Sequence, residues 1–262
     1  MDENQISAAL AGLPLGGLRF YRSIGSTNDE ALAWSAVGAQ DLSLVVADEQ
    51  TAGRGRAGRK WHTPPGMALA FSLILRPSPF ERTVPARLTG LGALALVDLC
   101  KDLALDAQIK WPNDILLRGR KVAGILVESA WAGNALDASV LGIGLNVAAA
   151  AIPPAEELTF PATSLETELG RRLKRAGLLG VILAALLAWR SRIASPEFIR
   201  AWESSLAFRG HLVALGRDGN QPLVGTLLGL EMDGSLRLMA DSMPTVVHFG
   251  EIHLRPMDDR MG

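Results

Sequence analysis

Between Gly53 and Trp61 lie four cations, Arg54, Arg56, Arg59 and Lys60, with no acid among them and with Gly55, Ala57 and Gly58 as spacers. Glycine lets main-chain N–H groups approach a ligand closely, and a guanidinium fork matches carboxylate or phosphate oxygens. The chemistry such a stretch can do is to clamp an anion. Alone, a Gly/Arg tract is more often a solvated basic loop, so the other polar segments must decide. One is Ser26-Thr27-Asn28, two hydroxyls and an amide placed where a helix would begin, with Asp29 and Glu30 in its first turn. Locally these three residues form a helix cap; chemically they can bond a small polar ring. A third segment, Gly142-Ile-Gly144-Leu-Asn146, puts two glycines inside a strand. That pattern marks a bulge, or room for something to lie against the backbone.

The elements that must position these residues can be read from periodicity. Strands are predicted at 18–21, 42–47 and 67–75, the second delivering the chain into the Gly/Arg loop. Residues 84–104 have helical apolar spacing, with Cys100 inside the pattern as a buried, inert thiol. Pro112 cannot donate to a sheet ladder and marks a break beside a strand. Arg118-Gly119-Arg120 makes a tight turn from which 121–128 returns as a hairpin strand, and 140–147 forms another. Helices are predicted at 164–174, 178–193 and 197–204. From Arg209 onward short strands and turns, among them 217–220, indicate a small all-β barrel, with the boundary near 207.

Composition narrows the function classes. The chain has 262 residues, 48% of them apolar, and a formal net charge of −1, which argues against bulk electrostatic binding of nucleic acid. Its single cysteine cannot form an intrachain disulfide, no basic-flanked signal pattern opens it, and the longest apolar run ends after Trp189 at Arg190, too short to span a bilayer. A cytoplasmic protein without membrane attachment is expected. The four histidines show no metal-ligand spacing.

Ser26-Thr27-Asn28, Gln50-Thr-Ala-Gly53-Arg54-Gly-Arg56-Ala-Gly-Arg59-Lys-Trp61, Lys110-Trp-Pro-Asn113-Asp114, Lys121-Val-Ala-Gly124-Ile-Leu-Val-Glu128 and Gly142-Ile-Gly-Leu-Asn146 stand in this order along the chain. In this combination the chain resembles the biotin–protein ligase family, biotin–[acetyl-CoA-carboxylase] ligase, over nearly its whole length. The resemblance implies an α/β fold: a mixed-sheet catalytic domain related to class II aminoacyl-tRNA synthetases over 1–207, then an SH3-like barrel over 208–262. Bifunctional members carry a winged helix-turn-helix before the Ser-Thr-Asn segment. Here 25 residues precede Ser26 without a basic recognition helix, so a monofunctional ligase is expected. Pro65-Gly66-Met67-Ala68 departs from relatives that tend to show an asparagine after the glycine and an aromatic in the strand.

The implied reaction activates biotin as biotinyl-5′-AMP with ATP and Mg²⁺, then transfers it to a lysine of a biotin carboxyl carrier protein. By resemblance, Lys121, Arg54 and Arg56 serve the reacting carboxylate and α-phosphate. Ser26, Thr27, Asn28 and Gln50, with the backbone of Gly53, Gly55 and Gly124, take the vitamin, and Trp61 adds an apolar wall. Arg56, Arg59, Lys110, Asn113, Lys121 and Asn146 take the nucleotide. Asp114 is either the magnesium contact or the cap of a turn, and Lys110 pairs either with phosphate or with Asp114. Like charges in the Gly/Arg loop would repel until an anion neutralises them, so a lid that orders over the ligand is expected. Three alternatives stay open: a lipoate or octanoyl ligase, a non-enzymatic biotin-responsive repressor, and, for assembly, either a monomer or an edge-paired homodimer.

Overall fold

The computed structural model describes residues 1–133, 135–216, 221–248 and 253–257. Seven strands form the first sheet: β1 (Gly17–Tyr21), β2 (Ser43–Ala47), β3 (Ala68–Leu75), β4 (Ala107–Lys110), β5 (Asp114–Leu117), β6 (Arg120–Ala132) and β7 (Ala135–Asn146), in the order β1-β2-β3-β7-β6-β5-β4. β1 and β2 run parallel, and every other neighbouring pair in this sheet is antiparallel. Helix α2 (Thr27–Ala36) covers one face near β3 and β7. The other face carries α4 (Ala86–Asp102), whose Leu88, Leu91, Leu94 and Leu99 are buried, and behind it α6 (Arg175–Arg190).

Side chains alternate along a strand, so the two faces read as two chemistries. Odd positions of β6 and β7, such as Ile125, Ile143 and Leu145, enter the main core; even positions, Gly124, Leu126, Gly142 and Gly144, face the α2 side. A second sheet follows α7 (Pro196–Ser204): β8 (Leu212–Gly216), β9 (Leu223–Leu230), β10 (Leu236–Ala240), β11 (Met243–Val247) and β12 (His253–Pro256). It is wholly antiparallel, in the order β11-β10-β9-β8-β12, consistent with a small SH3-like unit. Its buried Leu227, Leu236 and Leu238 join the same apolar core as the first sheet.

Where periodicity and structure differ, local chemistry accounts for it. The helix expected over 164–174 is only α5 (Leu165–Leu169), stopped by Gly170 at φ 66°. Helix α1 (Glu3–Ala9) and α3 (Pro79–Thr83) were not anticipated; each opens on a capping box, Asp2 with Gln5 and Ser78 with Glu81. The β4–β5 connection holds a cis Trp111–Pro112 bond. The turn expected at 217–220 lies outside the described residues. Among the described residues no helix is long and apolar enough to cross a membrane.

The two sheets are bound through the β4 end. Ile109 N–H donates to the Ser205 carbonyl at 2.7 Å, and Ala207 N–H donates to the Ile109 carbonyl at 2.9 Å. The Trp111 indole N–H donates to the Gly234 carbonyl at 3.1 Å. Buried Arg87 on α4 donates to the carbonyls of Ile193 and Met232, tying α4 to the turn before β10. We propose the domain boundary at 207/208, after the last of the 205–207 links to Ile109.

Candidate active site

The floor of the site is backbone. Ser72, Gly142 and Leu126 stand in one cross-strand row of β3, β7 and β6, and Ala70, Gly144 and Gly124 in the next. A Cβ on Gly142 would meet Asn28 Oδ1 at 2.1 Å, and one on Gly144 would meet the Trp61 ring at 2.2 Å. The two strand glycines therefore admit the Asn28 amide and the Trp61 indole against the sheet. Trp61 also lies 3.2 Å from where a Gly124 Cβ would be.

Over this floor the N-terminus of α2 presents the polar set. Ser26 caps the helix through Asp29 N–H at 3.5 Å. Gln50 Oε1 accepts from Thr27 N–H at 2.8 Å and from the Thr27 hydroxyl at 3.0 Å, while Gln50 Nε2 donates to Thr63 at 3.1 Å. Ser72, fully buried, donates from Oγ, which lies 2.8 Å from Thr27 Oγ1 and 2.6 Å from Asn28 Oδ1. Asn28 Nδ2 donates to Glu128 at 2.8 Å and to the Leu126 carbonyl at 3.4 Å.

The Gly/Arg stretch folds as a flap. Trp61 N–H donates to the Gly53 carbonyl at 2.8 Å, Gly55 N–H donates to the Arg59 carbonyl at 2.7 Å, and the tip turns at Ala57 (φ 54°) and Gly58 (φ 70°). Gly53 is required because a Cβ there would strike the Trp61 carbonyl at 2.4 Å. Arg54 lines the cavity and is held there by two acids. It grips Glu128 with two N–H···O contacts of 2.9 and 2.7 Å and reaches Asp29 at 2.5 Å. Its charge is thus already balanced by acids distant in sequence, and the expected repulsion within the loop does not extend to it. Arg56 donates to Asn113 Oδ1 at 3.3 Å, and Asn113 Nδ2 donates to the Ile125 carbonyl at 2.9 Å.

Across the cavity Lys121 Nζ lies 2.6 Å from Asp114, and Lys110 Nζ lies 3.6 Å from its other oxygen. Burial alone pushes the Asp114 carboxyl up, but Lys121 and Lys110 outweigh it and hold the group below the usual carboxylate range. Lys110 is pushed down by burial, and Asp114 offsets that only in part. The Lys110 ammonium sits 4.5 Å from the Phe160 ring, and that of Lys121 sits 5.4 Å from the Trp61 ring. Asn146 Nδ2 donates to the Thr163 carbonyl at 3.1 Å.

All the site residues singled out in the sequence line one cavity of about 880 Å³, from Ser26, Thr27, Asn28 and Gln50, past the flap residues Gly53 to Arg59, to Lys110, Asn113, Asp114, Lys121, Gly124 and Asn146. Sequence reasoning missed part of the wall: the loop carrying Pro153 and Phe160, and Leu254 and Arg255 from β12. It also gave no role to Ser72 or Glu128. A lone hydroxyl inside the apolar 67–75 run was the available signal for Ser72; Glu128 already closed a quoted motif. As for Mg²⁺, no group of three or more His, Cys, Asp or Glu converges among the described residues. Both Asp114 oxygens face ammonium groups, so the protein side chains do not fit a metal site of their own.

A polar alcove and a set of cations thus share one cavity on the mixed sheet. The model of the biotin/lipoate A/B protein ligase family matches residues 20–146. A biotin–[acetyl-CoA-carboxylase] ligase of Paracoccus denitrificans is 36% identical over 87% of this chain and 96% of its own length. The bifunctional ligase/repressor BirA of Bacillus subtilis is 33% identical over 97% of this chain and 79% of its own. The biotin protein ligase of Aquifex aeolicus, solved in complex with biotin and ATP, superposes with a TM-score of 0.80 at 28% identity, covering 92% of this chain and 99% of that one. The chain belongs to the biotin protein ligase family.

Proposed function

We propose that the chain is a biotin–[acetyl-CoA-carboxylase] ligase, which activates biotin as biotinyl-5′-AMP and transfers it to a lysine of a biotin carboxyl carrier protein. The observation that carries this reading is the single cavity that joins a neutral hydrogen-bonding alcove to Lys121 and Arg56. A carboxylate is a poor acyl donor, so it must first be joined to a leaving group. A biotin carboxylate oxygen attacks the α-phosphorus of ATP; a P–O bond forms there and the bond to pyrophosphate breaks. The carrier lysine, as free amine, then attacks the acyl carbon, loses a proton and expels AMP.

The first step brings two anions together, which calls for fixed positive charge. Lys121 stands near the start of β6, directly beyond the turn at Arg118 and Gly119, and Asp114 holds its ammonium at 2.6 Å, beside the alcove. This supports Lys121 as the group on the reacting carboxylate and α-phosphate oxygens, with Arg56 beside it. Arg54, gripped by Glu128, is better suited to anchoring the flap than to clamping an anion. Ser26, Thr27 and Gln50 suit the ureido ring of biotin, and Trp61 walls it. Arg59, Lys110, Asn113 and Asn146 suit the nucleotide. Mg²⁺ would enter with the phosphates of ATP, and no step here is assigned to it. Asp114 then serves as the holder of Lys121.

The test is ATP-dependent transfer of labelled biotin to a purified carrier domain. Lys121→Ala and Arg56→Ala should each lower kcat/KM by roughly 10²–10³, the loss typical for one preorganised donor. Wild-type transfer of lipoate or octanoate in preference to biotin would instead select the other substrate of this family.

A further inference from the structure

Glu128, the carboxylate that grips Arg54, also terminates the polar chain beneath the alcove. Its carboxylate can only accept hydrogen bonds, so the Asn28 amide must turn its Nδ2 towards it, as the 2.8 Å contact shows. The second Nδ2 proton goes to the Leu126 carbonyl. Asn28 Oδ1, which cannot donate, is thereby turned on Ser72, and the single Ser72 proton goes to it at 2.6 Å. Thr27 then receives nothing from Ser72. Its own proton is taken by Gln50 Oε1 at 3.0 Å, or by the Ser72 oxygen at 2.8 Å. Either way the lone pairs of the Thr27 hydroxyl remain for a ligand. Asn28, Ser72 and Thr27 are at most 4% exposed, so water does not scramble this order. Arg54 fixes the Glu128 end through both its terminal nitrogens.

We infer that Glu128 is a positioning residue for the vitamin: its fixed charge sets the direction of the Asn28–Ser72–Thr27 chain, so that Thr27 meets a ring N–H as an acceptor. Asn28 acts as a relay in this chain, since both its amide protons and its oxygen are engaged within the protein. The inference rests on the ligase reading for the identity of the ring.

Calorimetric titration with biotin and, separately, with ATP tests it in wild type, Glu128→Gln and the double variant Asn28→Asp with Glu128→Gln, each with a thermal melt. Glu128→Gln replaces the charged acceptor of Asn28 Nδ2 with a neutral group that can also donate, and should raise the Kd for biotin about tenfold or more, the worth of a charge-assisted hydrogen bond, with a smaller rise in the Kd for ATP through the loosened Arg54. In the double variant the carboxylate introduced at position 28 again accepts from Ser72, while the amide introduced at position 128 donates to that carboxylate, and part of the lost biotin affinity should return, the Leu126 carbonyl having lost its donor. Wild-type biotin affinity in Glu128→Gln, or no recovery in the double variant, overturns the inference. A lowered Tm with both ligands weakened alike would mark Glu128 as a structural brace and also overturn it. A wild-type chain that binds ATP but no biotin would overturn the ligase reading itself.

Discussion

Asp114 shows how much one residue's role depends on its neighbours. Lys110, Asp114 and Lys121 meet because β4, β5 and β6 form a meander that pairs Lys110 with Asp114 and Leu116 with Lys121. Residue types and spacing in Lys-Trp-Pro-Asn-Asp leave Asp114 as a metal contact or a turn cap; the strand pairing adds its contacts with Lys110 and Lys121. Replacing Asp114 with Asn keeps the shape and leaves two partly buried ammonium groups without a counter-charge. Breaking a buried pair in this way costs roughly 3–5 kcal/mol, so Asp114→Asn should lower stability at neutral pH. Because the folded-state pKa of Asp114 is depressed, its contribution is present above the unfolded value of about 3.9 and is lost as pH falls through the lower folded value. Urea denaturation across acid pH should therefore show a flatter acid limb in Asp114→Asn than in wild type; parallel curves would show that the carboxylate is not held by the lysines.

At the level of elements, β7 is the strand on which the alcove depends. A Gly142→Ala methyl would overlap Asn28 Oδ1, itself pinned by Ser72. Overpacking of this kind costs about 1–3 kcal/mol and should raise the KM for biotin more than that for ATP. Denaturant melts and initial-rate kinetics on Gly142→Ala check both; unchanged values would mean that Asn28 moves freely. The two glycines are visible in the sequence, and so is the room they imply. What fills it is not, because Asn28 and Trp61 arrive from segments distant in the chain. The same limit explains Arg54, whose carboxylate partner is 74 residues away. Strands and the long helices are legible from period alone, whereas α1 and α3 are too short for periodicity and are carried by their capping boxes.

For the whole molecule, the second sheet packs into the core of the first. It shares the core, receives the Trp111 indole N–H at Gly234, and holds Arg87 through the Met232 carbonyl. The changed texture beyond residue 209 announces a separate unit, but composition says nothing of buried polar ties between them. Removing Arg87 as Arg87→Met would leave the Ile193 and Met232 carbonyls without this donor, at about 1–3 kcal/mol for the buried contact to Ile193. Limited proteolysis of that variant should release the 212–257 region earlier than in wild type, and equal cleavage rates would show that apolar packing alone holds the two together. The bare main chain under the alcove has a further consequence for redesign. At Gly124, Gly142 and Gly144 the floor has no side chain left to trim, and Asn28 and Trp61 already lie against the two strand glycines. Room for bulkier vitamin analogues is therefore to be sought by cutting back Trp61 in the wall, while a methyl added to either strand glycine displaces Asn28 or Trp61 before it meets any ligand.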